Sequence, residues 1–126
     1  MIDEIKNMYI HDPRITQLLK CDYYGYNKNG HLIIEYKSTI SDLEKSIMQI
    51  FRYHDSLYKI KTPNMIKKSI RLIICWKHPH SKNVSRKAWE AFKQYIILYK
   101  KYVKSDGKPN IEFYFGCKKV DFDPIY

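Results

Sequence analysis

A short segment of the chain carries residue types that suit metal-dependent cleavage of a phosphodiester. Between residues 22 and 53 it contains Asp22, then Glu35 and Lys37 two positions apart, then Gln49 and Tyr53 four positions apart. Hard divalent cations such as Mg²⁺ prefer carboxylate oxygens, water and substrate phosphate as ligands. A lysine beside a reacting phosphate stabilises the negative charge that develops there. We interpret these five residues as a candidate hydrolytic site.

A β-hairpin is expected to position the two acidic residues. An apolar run follows an Asn-Gly turn signal and predicts a strand over residues 31–37, with residues 20–26 as its antiparallel partner. Asp22 is then expected on the strand next to the one that carries Glu35. The pattern leaves the register of the hairpin open.

Alternation along the second strand predicts which side chains share a face. Successive strand side chains point to opposite faces of a sheet. Leu32, Ile34 and Tyr36 therefore suit a core, while Ile33, Glu35 and Lys37 share the other face. The backbone carbonyl of Tyr36 is a further candidate metal ligand.

The helix after this strand is expected to contribute the last two residues. Ser41 and Glu44 form a capping box, which is typical of a helix start. Gln49 and Tyr53 are separated by one helical turn and therefore lie on one flank of the helix. We expect that flank to face Glu35 and Lys37.

The ordered combination of Asp22, Glu35-Tyr36-Lys37 and Gln49-x-x-x-Tyr53 resembles the PD-(D/E)XK nuclease superfamily. The Gln-Tyr pair is similar to the extra motif of RecB-type nuclease domains, and the spacing of the two acids is similar to that of archaeal Holliday-junction resolvases. The resemblance implies a restriction-endonuclease-like α/β core, Mg²⁺ or Mn²⁺ as cofactor, and DNA as substrate. Resolvase-like relatives imply a homodimer, and RecB-type domains imply a monomer.

The same resemblance implies one more metal-binding position, on a helix before the first strand. Glu4 and His11 are the candidates, and the sequence leaves the choice between them open.

Composition limits the classes of partner. The 126 residues carry 23 Lys and Arg against 13 Asp and Glu, a net charge of +10 that favours a polyanion. There is no apolar run of membrane-spanning length and no apolar leader, so we expect one cytoplasmic domain without a membrane segment. Three widely spaced cysteines are expected to be reduced packing residues.

The remaining elements predict the fold class. Residues 69–76 and 111–115 read as further strands, and a second long helix begins at Ser85. The order α-β-β-α-β-α-β predicts a mixed sheet flanked by helices. Metal-dependent deoxyribonuclease is the leading functional hypothesis. A catalytically inactive nucleic-acid-binding module and an RNA-directed nuclease are the alternatives, and endonucleolytic and exonucleolytic cutting are both open.

Overall fold

A computed structural model of the chain describes residues 2–38, 43–60, 69–76, 86, 90, 94, 111–116 and 118–120. Over these residues the fold is α/β. The elements in chain order are α1 (Ile2–Lys6), β1 (Ile10–His11), α2 (Pro13–Leu19), β2 (Tyr23–Asn27), β3 (Gly30–Lys37), α3 (Leu43–Ile60), β4 (Ser69–Trp76), β5 (Glu112–Phe115) and β6 (Lys118–Val120).

The strands form one mixed sheet of six, in the spatial order β1-β2-β3-β4-β5-β6. The pairs β3–β4 and β4–β5 are parallel, and the other neighbours are antiparallel. The helix α3 makes the crossover between β3 and β4, because parallel neighbours need a long connection. The coarse expectation of a mixed sheet flanked by helices is confirmed.

The hairpin β2–β3 is antiparallel, as the Asn-Gly signal predicts, with Tyr23 paired to Ile34 and Asn27 to Gly30. In its turn, the side-chain oxygen of Asn27 accepts hydrogen bonds from the backbone N–H groups of Asn29 and Gly30, at 2.8 and 3.1 Å. One side-chain oxygen of Asn27 therefore satisfies two backbone donors of the turn.

Both faces of the sheet are buried, which corrects the expectation of a single core face. Ile33, expected opposite the core, is fully buried on the face that α2 and α3 cover. Leu32 and Ile34 are fully buried on the other face, where Ile2 and Ile5 of α1 pack. Central strands of a sheet with parallel pairs are usually covered on both sides, so alternation does not mark a solvent face there.

The structure adds two strands and shortens a third. The two-residue strand β1 and the strand β6 were not predicted, and they form the two edges of the sheet. Strand β2 begins at Tyr23, so Asp22 lies in the bend before the strand and not on it. The predicted capping residue Ser41 lies outside the described residues. Most of the helix predicted from Ser85 also lies outside them, and the described residues 86, 90 and 94 are helical.

None of the helices in the described part of the chain is long and apolar enough to cross a membrane.

A close backbone approach at the start of β3 makes a first prediction. A Cβ atom at Gly30 would overlap the carbonyl oxygen of Ser69 on the neighbouring strand β4. Gly30→Ala should therefore lower the free energy of unfolding by about 3 kcal/mol or more, since neither backbone can move without breaking the ladder. Urea denaturation measures the change.

Gly116→Ala is the matched control. Gly116 has a φ of 64°, but no described atom lies within 4 Å of the added Cβ. Its substitution should cost only the conformational strain of about 1–2 kcal/mol. Equal losses in the two variants would contradict the role given to the Gly30 contact.

Candidate active site

Glu35 is a buried acid near the end of a central strand. It points to the same face as Ile33 and as its β4 partner Ile74, and this is the face that α3 covers. Its exposed fraction is only 6%. A carboxyl group in such surroundings is costly to ionise unless charges or hydrogen bonds compensate it.

Asp22 approaches Glu35 from the bend before β2. Continuing the hairpin register by one residue beyond the Tyr23–Ile34 pair places Asp22 opposite Glu35. Asp22 Oδ2 accepts a hydrogen bond from the backbone N–H of Tyr36 at 2.7 Å. The N–H and C=O of one strand residue face the same neighbour, so the Tyr36 carbonyl also points to this side. Asp22 itself is exposed, which leaves the site open to solvent at its edge.

The pKa of Glu35 is well above the ordinary value for a glutamate. Burial, the hydrogen bond with Asp22 and the charge of Asp22 together raise the pKa of Glu35 to about 8. Tyr53 and Lys37 lower that pKa but do not cancel the increase. At neutral pH the pair therefore holds a proton where two carboxylates would otherwise repel each other.

One oxygen of Glu35 is left without a partner. Oε2 is buried and forms no hydrogen bond with any of the residues that the structure describes. Buried polar atoms are normally satisfied, so an exception requires an explanation. This atom and the neighbouring Asp22 carboxylate are where a bound cation would find ligands.

The helix α3 supplies the two residues expected from its flank. Lys37 Nζ donates to Gln49 Oε1 at 2.7 Å. Tyr53 forms a side-chain hydrogen bond with Glu35. Burial and the charge of Glu35 raise the pKa of the Tyr53 hydroxyl, so this hydroxyl stays protonated and donates to the carboxyl group. Asp22, Glu35, Lys37, Gln49 and Tyr53 are thus brought together.

The two candidates for an additional N-terminal ligand lie elsewhere. Glu4 is exposed on α1, whose buried residues pack on the opposite face of the sheet. His11 pairs with Gly25 and stacks on Tyr23, with ring centroids 4.9 Å apart, on that same opposite face. The structure brings neither residue to Glu35, because the sheet separates them from it.

Cys21 belongs to this site, although sequence reasoning treated it only as a packing residue. It is buried, and burial followed by the charges of Glu35 and Asp22 raises the pKa of its thiol to about 12. The thiol is therefore neutral at physiological pH and acts as part of the apolar wall beside the two acids. Its position next to Asp22 in the chain was the only sequence signal for this.

Comparisons with protein-family models, with curated proteins and with solved structures find no match for this chain. Within the part of the chain that the structure describes, no three His, Cys, Asp or Glu side chains group so as to hold a metal ion.

The raised pKa of Glu35 predicts how stability depends on pH. In the folded protein the pKa is about 8, and the ordinary value is 4.5, so the folded state keeps a proton that the unfolded chain releases. This contribution to stability is complete below the ordinary pKa and is lost as the pH rises through the folded one. In metal-free buffer we expect the Tm to fall from about pH 5 to about pH 9.

Glu35→Gln should flatten this pH dependence, because the amide cannot ionise, and it should raise the Tm at pH 9 above that of the wild type. Glu4→Gln is the control, since Glu4 is exposed on the other side of the sheet. Thermal unfolding followed by circular dichroism gives the profile. An undiminished slope in the Glu35 variant would show that the slope has another origin.

Proposed function

We propose that the protein is a metal-dependent deoxyribonuclease of the PD-(D/E)XK type, with a restriction-endonuclease-like core. One observation carries the proposal: Asp22 and Glu35 meet at the end of β3, beside Lys37, and a buried oxygen of Glu35 has no partner among the described residues. The order of motifs along the chain supports the same interpretation.

The donor set fits Mg²⁺ or Mn²⁺. Mg²⁺ is typically held by one or two carboxylates and keeps several water molecules, so a pair of acids is sufficient without a third protein side chain. Asp22 and Glu35 would hold the ion, and the Tyr36 carbonyl faces the same side. Glu4 and His11 are not included, because they lie across the sheet.

A bound divalent ion would supply a more acidic water molecule and would offset charge on the reacting phosphate. Lys37 then contributes a cation at the same phosphate. Its ammonium group has three donor hydrogens, and Gln49 takes one of them. The others are available to phosphate oxygens, where they stabilise the charge that develops during hydrolysis.

Gln49 and Tyr53 act as positioning residues in this scheme. Gln49 holds the end of the flexible Lys37 side chain, which reduces the entropy lost when phosphate binds. Tyr53 donates to Glu35 and holds the carboxyl group toward Asp22. Both lie on α3, so the helix sets the geometry of the lysine and of the buried acid together.

DNA is the proposed substrate because the net charge favours a nucleic acid and the resemblance to PD-(D/E)XK nucleases implies DNA. The net charge of +10 favours a nucleic acid, and the residues of the site suit cleavage of its backbone. An RNA-directed enzyme would use the same residues, so matched DNA and RNA substrates must be compared. The resolvase-like spacing of the two acids favours a homodimer, and the RecB-type Gln-Tyr pair favours a monomer.

The central prediction concerns cleavage. Asp22→Asn and Glu35→Gln should abolish Mg²⁺-dependent cutting of labelled DNA, and Lys37→Ala should reduce it by at least about a hundredfold. All three should bind DNA nearly as well as the wild type, since the first two remove ligands and the third removes one cation of 23 Lys and Arg. Gel assays with and without EDTA measure cleavage.

Glu4→Gln serves as the matched acid-to-amide control and should cut like the wild type. DNA binding without metal-dependent cleavage by the wild type would favour the inactive binding module. Preferential cutting of RNA would favour the RNA-directed enzyme. Equal cutting by the wild type and all three site variants would contradict the assignment of the site.

A separate prediction tests positioning by Gln49. Gln49→Ala should lower kcat by about tenfold or more while changing the Tm little, because it removes a contact to Lys37 and no core side chain. Gln49→Glu should restore part of the activity, since a carboxylate also accepts a hydrogen bond from lysine. Gln17→Ala, on the exposed side of α2, is the control. A Tm loss without a kcat loss would make Gln49 structural.

A further inference from the structure

The solvent-exposed side of α3 carries a regular row of cations. Lys45, Arg52 and Lys59 follow one another at intervals of seven residues, and all three are exposed. Seven residues are close to two helical turns, so the three side chains lie along one side of the helix. We refer to Lys45, Arg52 and Lys59 as the α3 cation row.

The α3 cation row borders the candidate active site. Gln49 lies four residues after Lys45 and three before Arg52, so both cations are its neighbours on the helix surface. Gln49 in turn contacts Lys37 at 2.7 Å. The row is therefore continuous with the lysine proposed to meet the reacting phosphate.

Within the described part of the chain, none of the three cations forms an ion pair with an acid. Arg71 and Lys119 are described cations that do form ion pairs, and neither belongs to the row. Arg71 and Lys119 share Glu112 on another part of the sheet. What distinguishes the row from other unpaired cations of the described chain is its position beside Gln49.

We propose that the α3 cation row is the track along which the DNA backbone enters the candidate active site. This inference rests on the proposed function, because it takes the phosphate at Lys37 as its starting point. Lysine and arginine on one helix face match a row of phosphates in charge and in linear arrangement. Phosphate contacts of this kind set the register of a nucleic acid without reading its sequence.

The dimensions of the row limit how much DNA it contacts. From Lys45 to Lys59 the helix rises about 21 Å, at 1.5 Å per residue. This spans about six phosphates of one strand, at 3.4 Å each along a duplex axis. Gln49 lies closer to Lys45 than to Lys59, so the contacts extend further toward the C-terminal end of α3 than toward its start.

The experiment compares two triple variants that remove the same charge. The first replaces the row: Lys45→Ala, Arg52→Ala and Lys59→Ala. The second replaces three exposed cations elsewhere: Arg14→Ala, Lys28→Ala and Lys118→Ala. Both are made with Glu35→Gln to prevent cleavage. Alanine is a better helix former than lysine or arginine, so the first triple variant keeps α3 intact.

Binding of a fluorescein-labelled DNA oligonucleotide is measured by anisotropy between about 50 and 200 mM NaCl, where phosphate contacts give a steep salt dependence. At the lower salt, the row variant should bind about tenfold to a hundredfold more weakly than Glu35→Gln alone. The slope of log affinity against log salt concentration should be smaller by about 1 for each phosphate that the protein no longer neutralises. The control variant should bind less than about threefold more weakly, because diffuse charge acts weakly at a distance.

Equal weakening of both triple variants would overturn the track, since the attraction would then be a property of the total charge. Unchanged binding by the row variant would also overturn the track. If the wild type then cuts DNA with Mg²⁺, the proposed function stands without the track. A wild-type protein that neither binds nor cuts DNA would remove both. Loss of binding to phosphatidylserine vesicles alone would assign the row to a membrane surface and overturn the proposal.

Discussion

Burial of the Glu35 carboxyl group at the end of a central strand is the constraint on which the site depends. An acid that is 6% exposed and has an oxygen without a partner among the described residues costs folding free energy, which the rest of the fold must offset. In the absence of a cation, a proton keeps the Glu35 carboxyl group neutral; the group donates this proton to Asp22 and accepts a hydrogen bond from Tyr53. A divalent cation bound at the proposed site would have to displace this proton.

The surrounding fold makes that arrangement rigid. Strand β3 pairs with β4 along its whole length, including Glu35 with Ile74, and its pairing with β2 ends at Ile34, next to Glu35. The backbone at Glu35 therefore cannot shift without breaking ladder hydrogen bonds. The helix α3 packs its buried residues on the same face and supplies Tyr53 and Gln49 from one flank. The buried Glu35 carboxyl group destabilises the fold, and the apolar side chains packed on both faces of the sheet offset this cost.

Local sequence signals were sufficient for the parts of the site that depend on neighbours in the chain. The Asn-Gly turn predicted the hairpin, and the one-turn spacing of Gln49 and Tyr53 predicted a shared flank. Alternation predicted that Glu35 and Lys37 share a face with Ile33, but not that α3 would bury that face. Coverage of both faces is a property of the whole sheet, and no period within β3 encodes it.

Local sequence signals do not predict which face of the sheet the N-terminal elements cover. Glu4 and His11 precede Asp22 in the chain as the resemblance requires. Ile2 and Ile5 nevertheless hold α1, with Glu4, on the opposite face of the sheet, and His11 stacks on Tyr23 on that same face. Which face a short helix covers depends on which apolar side chains find partners, and spacing along the sequence does not determine this. Cys21 was missed as a neighbour of the acids because a buried thiol beside a carboxylate has no distinctive pattern.

Titration of the protein with Mn²⁺ by isothermal calorimetry tests the central claim most directly, because it needs no substrate. Performed at pH 7 in buffers of different ionisation enthalpy, it should show about one ion per chain and the release of close to one proton, since the ion replaces the proton on Glu35. Asp22→Asn and Glu35→Gln should each lose this binding, and Glu4→Gln should retain it. Absence of binding by the wild type, or the same stoichiometry and proton release in the Glu35 variant, would contradict a metal site at this carboxylate pair.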